Sequence, residues 1–102
     1  MNLYHTTSDE AAKAIEREGF KNSPFLGIAH GVCLASRPLD AGDCVVRHAE
    51  VCFEIEVPDQ LDLSVWEIEE EGRPEEAYRE WLVPDSVVNG WPRRRFTDEQ
   101  FL

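Results

Sequence analysis

Three observations in the amino-acid sequence predict an α+β domain dominated by an antiparallel sheet. A short extended segment at the N-terminus leads into a capped helix pattern. Residues 50–57 alternate apolar and polar side chains with period two, and the other apolar runs are short and punctuated by Gly and Pro. One strand, one helix and then a succession of strands is the order of an α+β domain rather than of repeating βα units. With 102 residues the chain is expected to form one domain, residues 1–102, around a modest core, with a loose tail at 97–102.

Each element follows from local signals. Asn2-Leu3-Tyr4-His5-Thr6 reads as extended chain, and Thr7 is the expected helix cap, with Glu10 in the capping-box position three residues on. The helix is expected from Ser8 to Glu18, with Ala11, Ala12, Ala14 and Ile15 as its narrow apolar stripe and Gly19 just past its end. Phe20 then turns inward. Residues 21–30, with Asn22, Ser23, Pro24 and Gly27, read as a loop whose apolar members Phe25, Leu26 and Ile28 suit the cover of a pocket. Gly31-Val32-Cys33-Leu34-Ala35-Ser36 is a short strand ended by Arg37-Pro38, and 44–47 begin another extended segment. In 50–57, Val51, Phe53, Ile55 and Val57 alternate with Cys52, Glu54 and Glu56, the pattern of a half-buried strand. Leu61, Leu63 and Val65 prolong that alternation toward Trp66 and Ile68 as one or two further short strands. Residues 78–83 are extended up to Pro84, 84–90 form a single helical turn, and 91–95 form a last edge strand.

Charge narrows the partners. Asp and Glu number 21 against 10 Lys and Arg, giving a net charge of −11 and a pI near 4.5. Such a chain repels phosphate backbones and acidic membrane surfaces, which disfavours direct nucleic-acid binding and membrane association. Six glutamates fall between Glu67 and Glu76, a solvated loop or edge that also suits a cationic partner or imitates a nucleic-acid backbone. Cys33, Cys44 and Cys52 are odd in number and lack a CxxC spacing, as expected of free thiols in a reducing compartment. No apolar run reaches the roughly 18 residues of a membrane span, and the start lacks the basic and apolar regions of a signal peptide, so a cytoplasmic location is expected.

Two residues stand out chemically. His5 precedes a helix start, where exposed N–H groups and the positive dipole end favour an anionic ligand. Glu80 shares a strand face with Tyr78 and Leu82, a costly place for a carboxylate unless it is paired, with Arg79, Arg37 or Arg47, or functional. Cys44 with His48, and His30 with Cys33, lack the paired-ligand motifs of zinc sites, so no metal is expected.

Taken in order, Tyr4-His5-Thr6-Thr7, the strand from Gly31 to Ser36, and Tyr78-Arg79-Glu80-Trp81-Leu82-Val83-Pro84 resemble the ADP-ribosyltransferase superfamily. The order is similar to that of its diphtheria-toxin and poly(ADP-ribose) polymerase branch, whose triad is His, Tyr, Glu, and the likeness spans residues 3 to 89 through short motifs. The resemblance implies a compact split antiparallel β-sheet domain with one N-terminal helix. It implies NAD as substrate, with ADP-ribose passed to an unknown protein or small-molecule acceptor.

By the same resemblance His5 and Glu80 are the catalytic pair. His5 bonds a ribose hydroxyl, the Thr6 backbone holds the nicotinamide amide, Ser36 adds a polar contact, and Glu80 supports an oxocarbenium-like transition state. Cys33 completes the implied cofactor-binding set, yet it stands where the branch has tyrosine, and Thr6 stands where it has glycine. Tyr78, two residues before Glu80, replaces the Glu or Gln of arginine-specific members, which disfavours arginine as acceptor. The chain also lacks the basic surface of the tRNA 2′-phosphotransferase relatives. The alternative is a catalytically inactive acidic binding or inhibitor protein on the same fold, taking a cationic partner or imitating nucleic acid.

Overall fold

The structure is a computed structural model that describes residues 1–25, 29–38, 51–68 and 78–96. Its strands are β1 (Asn2–Thr7), β2 (Ser23–Phe25), β3 (Ala29–Ala35), β4 (Val51–Glu56), β5 (Glu67–Ile68), β6 (Glu80–Val83) and β7 (Arg93–Phe96). Two helices accompany them among the described residues, α1 (Asp9–Glu18) and α2 (Asp85–Val88), and a 3-10 turn spans Ser64–Trp66. The sheet order is β5-β6-β3-β1-β4-β7, with β2 pairing β3 off this path, and every pairing is antiparallel. The expected α+β class with a dominant antiparallel sheet is what the chain forms.

Register assigns the faces. Leu3 pairs with Ile55, His5 with Phe53 and Thr7 with Val51, while Leu34 lies opposite Trp81 and Val32 opposite Val83. Paired residues share a face, so these side chains line one side of the sheet. There Ala12 and Ile15 of α1, Phe20 and Val88 complete the core. Arg93 and Arg95 project to the same side and reach α1, through the Ile15 carbonyl at 3.1 Å and the Glu16 carboxylate at 2.6 Å. The other side carries Tyr4, Thr6, Cys33, Ala35, Cys52, Glu54, Glu80, Leu82 and Arg94.

Four expectations need correction. Ser8, not Thr7, caps α1: its hydroxyl accepts from the Ala11 N–H at 3.2 Å, which leaves Glu10 outside the capping-box position. Residues 21–30 are not all loop, since Ser23-Pro24-Phe25 pairs with the first half of β3. Leu61 to Val65 do not extend a strand. Asp62 Oδ1 accepts from the Ser64 N–H at 2.9 Å and starts the 3-10 turn instead. Finally, β4 is buried on both faces rather than one, with Cys52 as enclosed as Phe53 and Ile55 and Glu54 nearly so.

The buried Glu54 is tolerated because donors converge on it. Its Oε1 accepts from Arg94 Nε at 3.0 Å, Arg94 Nη2 at 2.7 Å and Asn2 Nδ2 at 3.2 Å. The extended segment expected at 44–47, Cys44, His48, residues 69–77 of the acidic run, the cover residues 26–28 and the tail 97–102 lie outside the described residues.

Candidate functional site at the parting of two strands

Strands β1 and β4 share six register pairs, but β1 and β3 share one, Tyr4 with Ala35. Just beyond that pair the His5 imidazole takes over: Nδ1 lies 2.8 Å from the Cys33 carbonyl oxygen. A carbonyl only accepts, so Nδ1 carries the proton and Nε2 keeps its lone pair. The ring meets Phe20 edge-on, centroids 5.1 Å apart, and Phe20 meets Phe53 likewise at 5.8 Å. Burial pushes the His5 pKa below the ordinary imidazole value, against the smaller opposing effect of the Cys33 carbonyl. The neutral ring therefore presents Nε2 as an acceptor, suited to a ligand hydroxyl or N–H.

A cavity of about 290 Å³ opens beside this ring. Ala11, Ala14 and Ile15 of α1 form one wall, and the segment that leaves the helix, with Gly19, Phe20 and Ser23, forms another. Gly31, Val32 and Cys33 of β3, with Leu82 of β6, close the third. The pair of alanines leaves room that larger side chains would fill. A Cβ on Gly31 would stand 2.7 Å from Leu82 Cγ, so that glycine gives Leu82 its place. The lining joins these apolar walls to the polar side chains of His5, Thr7, Glu18, Lys21 and Ser23, and apolar walls with a few polar groups are the usual make-up of a small-molecule site.

The expected site residues divide. His5 and Cys33 both border the cavity. Thr6 turns to the other face and hydrogen-bonds the Cys52 thiol, whose pKa burial pushes up to about 11. Ser36 is engaged at the start of β6: its hydroxyl accepts from the Arg79 N–H, and its own N–H donates to the Arg79 carbonyl, both at 2.9 Å. Glu80 is buried, with 2% of its surface exposed, at the first position of β6. It lies opposite Ala35, itself opposite Tyr4, so it leaves the sheet on the face away from α1. His5, one residue on from Tyr4, leaves on the α1 face. Two strand spacings, about 10 Å between Cα positions, separate the His5 and Glu80 rows laterally. Cys33 and Leu82 share the face of Glu80 by register and still border the cavity, because β1 has parted from β3 there. Arg79, expected as a partner of Glu80, gives its guanidinium to Glu67 at 2.6 and 3.1 Å.

Sequence reasoning missed the cavity walls, Ala11, Ala14, Gly31 and Leu82. The signal for them was the small residues themselves, two on one helix face and one on the neighbouring strand. Among the described residues no cluster of three potential metal-ligating side chains occurs, and no helix is long and apolar enough to cross a membrane. No family model matches the chain, and no curated protein or solved structure is significantly similar to it.

Proposed function

We propose that this chain is an ADP-ribosyltransferase-like domain that binds NAD at the His5 cavity and passes ADP-ribose to an acceptor. One observation carries the reading. The three motif segments, far apart in sequence, occupy neighbouring strands β1, β3 and β6, with the cavity where β1 parts from β3. On this reading Nε2 of His5 accepts a ribose hydroxyl. The bond between ribose C1′ and the nicotinamide nitrogen breaks with its electron pair leaving on nicotinamide. An acceptor lone pair closes on C1′, and the acceptor's proton passes to solvent. For Glu80 to stabilise the positive charge that builds at C1′, the reacting end of NAD must reach the face of the sheet away from α1, since Glu80 leaves the sheet on that face and does not line the cavity.

Calorimetric titration with NAD, for the wild type and His5→Ala, tests binding. Transfer of label from NAD to the proteins of the native lysate, for the wild type and Glu80→Gln, tests chemistry. Saturable binding that His5→Ala abolishes, with label transfer that Glu80→Gln abolishes, is the expected result. Absence of both overturns the proposal.

A second reading, an acidic binding protein without catalysis on the same fold, is favoured by the opposite faces of His5 and Glu80. Capture of a cationic partner that requires residues 67–76 and ignores both His5→Ala and Glu80→Gln would select it.

A further inference from the structure

The wall of the cavity that follows α1 is held from behind by the residues around α2. Asn89 gives Phe20 both of its backbone hydrogen bonds: the Phe20 N–H donates to Asn89 Oδ1 at 2.7 Å, and Asn89 Nδ2 donates to the Phe20 carbonyl at 2.9 Å. One side-chain amide thus serves Phe20 as a neighbouring strand would. A second reciprocal pair lies two residues on. The Asn22 N–H donates to Asp85 Oδ2 at 3.0 Å, and the Asp85 N–H donates to Asn22 Oδ1 at 2.9 Å. Gly19, at φ 85°, makes the close approach possible, since a Cβ there would stand 2.9 Å from Asn89 Oδ1.

Phe20 transmits this hold to the site. Its ring is buried, meets His5 edge-on, and carries the Arg93 guanidinium 5.6 Å from its centroid. The wall therefore has two clamps of equal bond count, and only the one at Asn89 grips the residue that touches the imidazole.

We propose that Asn89 is a positioning residue of the cavity: by fixing both backbone polar groups of Phe20 it sets the ring that orients His5, and with it the affinity for NAD. The affinity half rests on the proposed NAD binding, whereas the orientation of His5 is readable without any ligand. Asn89 does not line the cavity, and its effect runs through Phe20.

The test compares Asn89→Ala, which removes both bonds, with Asn89→Asp, which keeps the acceptor for the Phe20 N–H, and with Asn22→Ala, which removes the Asn22 Oδ1 acceptor of the other clamp and leaves the Asn22 N–H on Asp85. NAD affinity is measured by calorimetry, and the His5 imidazole is titrated by NMR in the free protein. Asn89→Ala is expected to weaken NAD binding about tenfold, the scale of one to two net hydrogen bonds. It should also move the His5 titration midpoint upward, as water reaches the ring. Asn89→Asp should fall between the two, and Asn22→Ala should leave both readouts close to wild type. If Asn89→Ala does not fold, the comparison of Asn89→Asp with Asn22→Ala carries the decision. A folded Asn89 variant with an unmoved His5 midpoint overturns the inference, as does an equal shift in Asn22→Ala. If the wild type fails to bind NAD, the NAD reading falls. The His5 midpoint then decides the role of Asn89 by itself.

Discussion

Replacing His5 by Asn separates the titration of one imidazole from the rest of the fold. The Asn amide places an N–H near the position of Nδ1, so a donor for the Cys33 carbonyl remains while proton binding in this range is lost. In the folded wild type, burial pushes the imidazole below its ordinary pKa, outweighing the bond to Cys33 that works the other way. The unfolded chain takes up the proton near pH 6.5, where the folded chain resists it, so stability is full above that pH and is lost below it. Between pH 7.5 and 5.5 the loss has a ceiling of about 1.4 kcal/mol, reached when only the unfolded state binds the proton. His5 is half-buried rather than fully enclosed, and solvent screening brings the expected loss to about half that ceiling.

Titrations that the wild type and His5→Asn share cancel in the comparison. Asp62, lowered by the backbone N–H of Ser64, and Glu67, lowered by Arg79, give up their contributions only as the pH falls below the ordinary carboxylate range. Urea denaturation at pH 7.5, 6.5 and 5.5 reads the difference directly. The wild type should weaken across the series relative to His5→Asn. Parallel pH dependence in the two proteins would refute the assignment of a neutral imidazole that resists protonation in the fold.

Three further outcomes follow from local geometry. Gly31→Ala puts a methyl 2.7 Å from Leu82 Cγ and 3.2 Å from the Val83 carbonyl oxygen, and it should cost about 1–3 kcal/mol in urea denaturation. Ser8→Ala removes the acceptor for the Ala11 N–H and should cost about 1 kcal/mol in the same assay, with Thr7→Ala costing clearly less. Cys52, buried and with its thiol pushed up to about 11, should resist iodoacetamide at pH 8 in the native protein and react once urea unfolds it, as peptide mass spectrometry will report.

The chain order made the class of fold legible, and the residues explain where legibility stopped. A period-two pattern reports which side chains are polar, not whether their face is covered. Cys52 and Glu80 are as buried as Phe53 and Ile55, and Glu54 is buried nearly as far. Glu54 is held by Arg94, whose place opposite it on β7 arises from strand pairing 40 residues away, which no local window contains. The cap moved from Thr7 to Ser8 because β1 runs one residue further, through its last pair with β4, Thr7 with Val51. At the site, the prominent side chains His5 and Glu80 were legible as unusual, but their divergence depends on the register Tyr4-Ala35-Glu80. The small residues Ala11, Ala14 and Gly31 carry no chemistry and became visible only as the space they leave.

His5 has one observed contact and one proposed duty, and a single alanine substitution confounds them. Its Nδ1–H serves the Cys33 carbonyl where β1 and β3 part, and on the proposed reading its Nε2 accepts a ribose hydroxyl. His5→Ala removes both at once, so lost NAD binding in that variant alone does not separate a broken wall from a missing acceptor. His5→Asn keeps a donor for Cys33 and has no counterpart of Nε2. If ribose recognition runs through Nε2, His5→Asn should unfold near the wild-type midpoint at pH 7.5 and bind NAD at least about tenfold more weakly, the scale of one well-placed hydrogen bond in an enclosed site. Near-wild-type affinity in His5→Asn, beside weak binding in His5→Ala, would show that the imidazole is there for Cys33. The NAD contact would then have to be sought elsewhere along the cavity, beginning with the hydroxyls of Thr7 and Ser23.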